Sequence, residues 1–255
     1  MIAVNHLSVR LNGQPILHQV SLQARPGKVT VLLGPNGSGK TTLLLSLSAQ
    51  IAPEEGHIVL ADQPLDELKT RDLARLLAIV PQEHHPVFPY TVREVMLLGR
   101  LSRVGFWSQP GTRDRTVVAE IIDLLGIKSL ADKPYTRISG GERQLALLGR
   151  CLAQEPQVLL LDEPTNHLDF RNQVLILKLI RELAQQRGLT VLLTLHDPNL
   201  ALLFGDQAIL LAAGKVAAQG PPRDVINAAS MARLYGLEVE ILSQGPQRLL
   251  CPKLS

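Results

Sequence analysis

Gly34-Pro35-Asn36-Gly37-Ser38-Gly39-Lys40-Thr41 has the composition and spacing of a phosphate-holding turn. Glycines let the backbone curl so that successive N–H groups face inward at anionic oxygens. The apolar run Val29 to Leu33 before it reads as a buried strand, and the Leu-rich Thr41 to Ala49 reads as a helix. The start of that helix adds its dipole to the anion site. In this setting Lys40 reaches the β- and γ-phosphates of a nucleotide, and the Thr41 hydroxyl ligates Mg²⁺.

Three further groups could work on the same phosphates. Val158 to Leu161 is an apolar strand ending in Asp162-Glu163. Asp162 can orient the shell of a metal ion, and Glu163, one residue on, can polarise an attacking water. Such general-base help is worth about 10²–10⁴ in rate. His196 follows the strand Thr190 to Leu195 and can hydrogen-bond a γ-phosphate. Ser139-Gly140-Gly141-Glu142 opens a helix running to Ala153, and a hydroxyl, two glycines and a helix start make another anion-binding tip. A chain with one phosphate loop has no local use for a second reader. A second copy of the chain does.

Positioning these groups takes an α/β framework. Ile2 to Leu11 and Ile16 to Ala24 read as strands about the hairpin signal Asn12-Gly13. A short strand is expected at His57 to Leu60, a helix from Asp66 to Arg75, and a strand from Leu77 to Val80 ending at Pro81-Gln82. Residues 83–112 are rich in Pro and Gly around one helical segment, Val92 to Leu98, and Arg113 to Leu125 is an amphipathic helix. After Leu161 come a helix from Phe170 to Arg187, the strand to Leu195, a short helix Pro198 to Phe204, and hairpin strands Gln207 to Ala212 and Val216 to Gln219. Two short helices and a last hairpin, Glu238 to Leu242 with Leu249 to Cys251, close the chain. The alternation after Val29 predicts a mostly parallel sheet. Gly34, Asp162 and His196 each follow an apolar strand, so they converge on the carboxyl edge where such sheets bind ligands.

The bulk composition narrows the class. With 255 residues, 45% hydrophobic and 19% charged, the chain can bury a sizeable core, and 3% aromatic content leaves that core to aliphatic side chains. The net charge of +3 is spread without dense basic tracts, so no nucleic-acid partner is expected. Cys151 falls in an apolar helical pattern and reads as a small core residue; with Cys251 it makes neither a metal nor a disulfide framework. Met1 to His6 lacks the features of a signal peptide, and no run approaches the ~20 apolar residues of a membrane span. A chain soluble by itself in a reducing cytoplasm is expected.

Taken together, the ordered motifs resemble the ATP-binding subunit of an ABC transporter, over nearly the whole sequence. Gly34 to Thr42 is similar to Walker A, and Leu159 to Pro164 to Walker B with its glutamate. Ile138 to Gln144 matches the hallmark signature, Gln82 the Q-loop, Asn166 to Asp169 the D-loop, and His196 the switch histidine. The resemblance implies a single ABC ATPase domain of the P-loop NTPase fold. It has a nucleotide-binding core (1–82 and 156–255), an N-terminal antiparallel β subdomain and an inserted, mainly helical signature subdomain (83–155). Two copies close head-to-tail on ATP and Mg²⁺, with Ser139, Gly140, Gly141 and Glu142 of one facing Gly34 to Thr42 of the other. Gln82 senses metal and water, Asp169 signals across the pair, and hydrolysis reopens it to drive a polytopic permease at the cytoplasmic face of the inner membrane.

Ile138 and Glu142 replace the usual Leu and Gln of the signature but leave its tip intact. Leu11 stands where many members carry an adenine-stacking aromatic, which implies looser base contact. Thr91 to Val95, Leu98 to Arg100 and the Asn-His-Leu-Asp loop resemble importers for iron chelates, haem or cobalamin, which also employ a substrate-binding protein. His84-His85 reads as solvated loop. A soluble ABC ATPase of translation or DNA repair shares the motifs but usually has two units or long insertions, and an exporter subunit differs mainly in its partner.

Overall fold

A computed structural model describes residues 1–82, 89–104, 108–245 and 247–253. Strands β1 (Ile2–Leu11) and β2 (Gln14–Ala24) form the expected hairpin, and Asn12 and Gly13 both adopt positive φ (50° and 78°). Two left-handed residues make the turn whose twist matches its flanking strands. β3 (Lys28–Leu33) leads into α1 (Lys40–Leu47); β4 (Glu55–Leu60) and β5 (Gln63–Pro64) complete a four-stranded antiparallel sheet in the order β2-β1-β4-β5.

The helix expected over Asp66 to Arg75 is split. A 3-10 turn, Leu65–Glu67, is followed by extended Leu68 and Lys69, and α2 (Thr70–Leu76) begins only there. Leu65, Leu68 and Leu73 all pack against one core cluster; their i, i+3, i+8 spacing is also that of one helix face, so the apolar pattern does not reveal the break. β6 (Leu77–Val80) follows, then α3 (Val92–Leu97), which tightens into a 3-10 segment through Ser102. Gly99 lies in that segment, where an added Cβ would sit 2.1 Å from the Arg150 carbonyl oxygen. α4 (Thr112–Leu124) and α5 (Gly140–Ala153) come next.

β7 (Val158–Leu161), α6 (Phe170–Arg187), β8 (Thr190–Thr194), α7 (Pro198–Phe204), β9 (Gln207–Ala212) and β10 (Lys215–Gly220) complete the main sheet. Its order is β10-β9-β3-β8-β7-β6, parallel except for β10. α8 (Pro222–Val225), α9 (Ala228–Tyr235) and the hairpin of β11 (Val239–Gln244) and β12 (Gln247–Pro252) close the chain. The expected α/β architecture is therefore present.

Strand periodicity divides the interior into two cores. Val29, Val31 and Leu33 of β3, with Leu159, Leu161, Val191 and Leu193, face helices α3 to α7. Leu32, Leu160 and Leu192 face α1 and the antiparallel sheet. Cys151 is buried as expected, and burial pushes its thiol up to about 11, which leaves it inert.

Candidate functional site

The parallel strands β6, β7, β3 and β8 end side by side, and the expected chemistry gathers at that edge. The loop after β3 is tightly constrained. Gly39 caps α1 at φ 101°, and a Cβ there would meet the Leu17 side chain at 2.6 Å. At Gly34 a Cβ would lie 2.3 Å from the carbonyl oxygen of Leu211 on neighbouring β9. Only glycine lets the backbone pass at these two points.

Lys40 is buried within this loop, its ammonium donating to the carbonyl oxygens of Gly34 (2.8 Å) and Pro35 (3.1 Å). An ammonium has three donors, so one remains for an anion. Burial is the largest influence on Lys40 and lowers its pKa, opposed by the charges of Glu163 and Asp162.

Beside the loop, the Thr41 hydroxyl donates to Asp162 Oδ2 at 3.1 Å. Glu163 takes a left-handed backbone (φ 50°) and turns its carboxylate into a cluster. Gln82 Nε2 donates to Glu163 Oε2 at 2.7 Å, the Asn166 amide donates to the same oxygen, and His196 Nε2 meets Oε1. Thr194 Oγ1 accepts from the Glu163 N–H (2.7 Å) and donates to Asp162 Oδ1 (2.8 Å). A carboxylate buried among donors, with an imidazole and a lysine nearby, can take a proton from a water aligned on a phosphate.

A cleft of about 630 Å³ opens over this edge, lined by Asn36, Gly37, Gly39, Lys40, Thr41 and Thr42 on one side and Gln82, Glu163 and His196 on the other. Gly34, Pro35 and Ser38 support the loop without lining the cleft, and Asp162 stands behind Thr41. The cleft also gathers Asn166, His167 and Ile16, to which the sequence assigned no individual role. Leu11 is not a lining residue; the hairpin turn leaves it paired with Gln14 and partly exposed, while Ile16 packs beside Gly39.

Ser139, Gly140, Gly141, Glu142 and Asp169 do not line this cleft. They form a separate group with one another. A Cβ added to Gly141 would lie 3.1 Å from the Asn172 side chain, and Gly140 lies against His167 and Leu168. Glu142 and Ser139 cap α5 reciprocally: the Ser139 N–H donates to Glu142 Oε2 at 2.7 Å, and the Glu142 N–H to Ser139 Oγ at 3.4 Å. The Ser139 hydrogen bonds hold the Glu142 carboxyl below its ordinary pKa. Asp169 caps α6 by accepting from the Asn172 N–H at 2.8 Å. Phe170, next in the chain, is 78% exposed. His84-His85 lies outside the described residues, and among the described residues no helix is long and apolar enough to cross a membrane.

Comparison with known proteins identifies the family. The family model described as ABC transporter matches residues 17–166. The chain is 37% identical over 249 residues to the hemin import ATP-binding protein HmuV of Rhizobium meliloti, an alignment spanning 94% of this chain and 93% of that protein. It superposes on a metal-chelate type ABC transporter in an inward-facing conformation with TM-score 0.88 at 28% identity, covering 99% of this chain and 97% of that one. The cassette MJ0796, solved as a dimer bound to ADP and Pi, matches with TM-score 0.75 at 25% identity over 88% of this chain and 99% of that chain. The chain accordingly belongs to the ABC transporter family, as an ATP-hydrolysing subunit.

Proposed function

We propose that this subunit powers import of a metal chelate of the iron-siderophore, haem or cobalamin type through ATP-driven closure of a head-to-tail dimer. One observation carries the dimer: the phosphate-reading groups occupy two separate places on one chain, the cleft and the Ser139–Gly141 tip. Each is half of a site. Two copies in head-to-tail register complete both, with the loop from Gly34 to Thr42 of one copy facing Ser139, Gly140, Gly141 and Glu142 of the other. Asp169, beside that tip, then lies where it can report one site to its neighbour. The relatives named for hemin import and the metal-chelate type structure support the cargo class.

Glu163 serves as general base, His196 holds the γ-phosphate and the water, and Gln82 links the water to the helices between β6 and β7. Thr41, Asp162 and Gln82 supply only oxygen ligands, the donor set that suits Mg²⁺. A cation of that kind completes its shell with the substrate phosphates and water. Held by these residues, the cation would neutralise charge developing on the phosphates. The core (1–82 and 156–255) keeps the nucleotide, while the signature lobe (83–155) transmits closure to a polytopic permease. The subunit thus sits peripherally on the cytoplasmic membrane face, and a substrate-binding protein delivers cargo to the permease from the other side.

Complementation tests the dimer. Lys40→Ala and Ser139→Phe chains should each fail to trap ADP with vanadate. Mixed, they should recover one trapped nucleotide per mixed pair, because one of its two composite sites is intact. A mixture as inert as its parents would mean that each chain's tip serves its own loop. The transport reading is tested by extracting a tagged chain from native membranes in mild detergent. Mass spectrometry should find a polytopic permease with a substrate-binding protein; ribosomal or repair proteins without a membrane partner would keep the ATPase and discard the transporter.

A further inference from the structure

Thr194 lies at the last position of β8, in a strand otherwise made of apolar residues and one other threonine. Its neighbours on the sheet determine where its side chain acts. Leu193 pairs with Leu161 of β7, so Thr194 stands abreast of Asp162, the first residue beyond that strand. On its other side Thr194 pairs with Leu32, two residues before the phosphate loop. The residue is wholly buried (0% exposed) and faces no cleft.

A hydroxyl buried at this depth must find partners, and here each is one of the two acidic residues. The proton of Oγ1 goes to Asp162 Oδ1 at 2.8 Å, and a lone pair takes the Glu163 N–H at 2.7 Å. The first bond fixes the plane of the Asp162 carboxylate and leaves Oδ2 to Thr41. The second bond acts on backbone. Glu163 is left-handed, a conformation that is unfavourable for a non-glycine residue and persists only where its surroundings impose it. That turn sends the Glu163 carboxylate towards Gln82, Asn166 and His196.

We propose that the Thr194 hydroxyl is a positioning group that aims both carboxylates at once: Asp162 at the metal side of Thr41, and Glu163 at the water side of the cleft. The inference rests on the roles given above to Asp162 and Glu163. Thr194 does not line the cleft and acts only through the two acidic residues. A valine has nearly its shape and neither of its hydrogen bonds, so it leaves the Glu163 N–H without an acceptor and Asp162 Oδ1 without a donor.

Thr194→Val should lower kcat by about 10–100-fold and weaken Mn²⁺ binding in the presence of ADP, read by electron paramagnetic resonance, by about tenfold. Metal-free binding of a fluorescent ATP analogue should stay at the wild-type value, because loop and adenine contacts are untouched. Thr194→Ser, which keeps the hydroxyl, should restore both turnover and Mn²⁺ affinity. Should the valine variant fail to give a cooperative urea transition, Thr194→Cys replaces it with the same expectations, its thiol being a poor donor. Wild-type turnover and Mn²⁺ affinity in Thr194→Val would overturn the proposal, and so would a serine variant as impaired as the valine. Asp162→Asn and Glu163→Gln measured alongside separate the two levels: if those leave turnover intact, the carboxylate roles themselves fail, whatever Thr194 does.

Discussion

Glu163→Gln is expected to reduce ATP turnover by about 10²–10⁴-fold while ATP still binds. The exchange preserves size. Its remaining carbonyl oxygen can still accept from Gln82 or Asn166, and the Glu163 N–H still reaches Thr194. What disappears is basicity at the acidic side chain that, among the described residues, lines the cleft and is grasped by Gln82, Asn166 and His196. Chemistry is then blocked after closure, not before it. Because hydrolysis is what reopens the pair, the variant should accumulate as a closed dimer that runs at twice the monomer mass in sizing with ATP, and as monomer without it. A variant that hydrolyses at the normal rate would remove Glu163 from the base role and leave Asp162 or His196 to fill it.

How far the sequence reached follows from which contacts are local. The loop from Gly34 to Thr41 is contiguous, and apolar strands ending at Leu33, Leu161 and Leu195 declare a common sheet edge; those positions were legible residue by residue. Ser139 to Glu142 was legible as a tip, yet the reciprocal cap that occupies Glu142 was hidden behind its likeness to a nucleotide-binding glutamine. Thr194 was hidden differently. In sequence it is a β-branched residue in a strand, and its role exists only once β7 and β8 lie in register. The same holds for Ile16, which reaches the cleft because the hairpin folds back, while Leu11, nearer the expected place, stays at the hairpin end. The helix over 66–75 read as continuous because Leu65, Leu68 and Leu73 share one face at helical spacing, and the extended backbone of Leu68 and Lys69 leaves no mark in that pattern.

Arg100→Ala is expected to cost about 1.5–3 kcal/mol of stability, the scale of hydrogen bonds to charged groups, because the guanidinium is buried while Glu155 keeps 43% of its side chain exposed. Arg100 is 3% exposed and ties its own 3-10 segment to two others. Its Nε donates to Asp114 at the start of α4 (2.8 Å), and one terminal nitrogen serves both the Ala153 carbonyl at the end of α5 (2.6 Å) and Glu155 beyond it (2.8 Å). Burial alone would lower the Arg100 pKa; the bonds to Glu155 and Asp114 more than offset it and raise it. The same hydrogen bonds hold the Asp114 and Glu155 carboxyls below their ordinary values. For a depressed carboxylate the stabilisation is complete above the unfolded pKa, about 4, and is lost as pH falls through the folded value. Urea unfolding should therefore find the gap between wild type and Arg100→Ala wide at neutral pH and narrowing in acid below about pH 4. Arg100→Lys should recover only part of it, since a single ammonium cannot reproduce the planar fork that reaches all three acceptors. The consequence passes from stability to function. Ala153 and Glu155 lie in the short link between α5, which begins at the Ser139 tip, and β7, which ends at Asp162. Loosening that link should slow turnover in proportion to the lost stability even where nucleotide binding to the cleft is unchanged, whereas equal stability of Arg100→Ala and wild type at neutral pH would show that the network is only a solvated clasp.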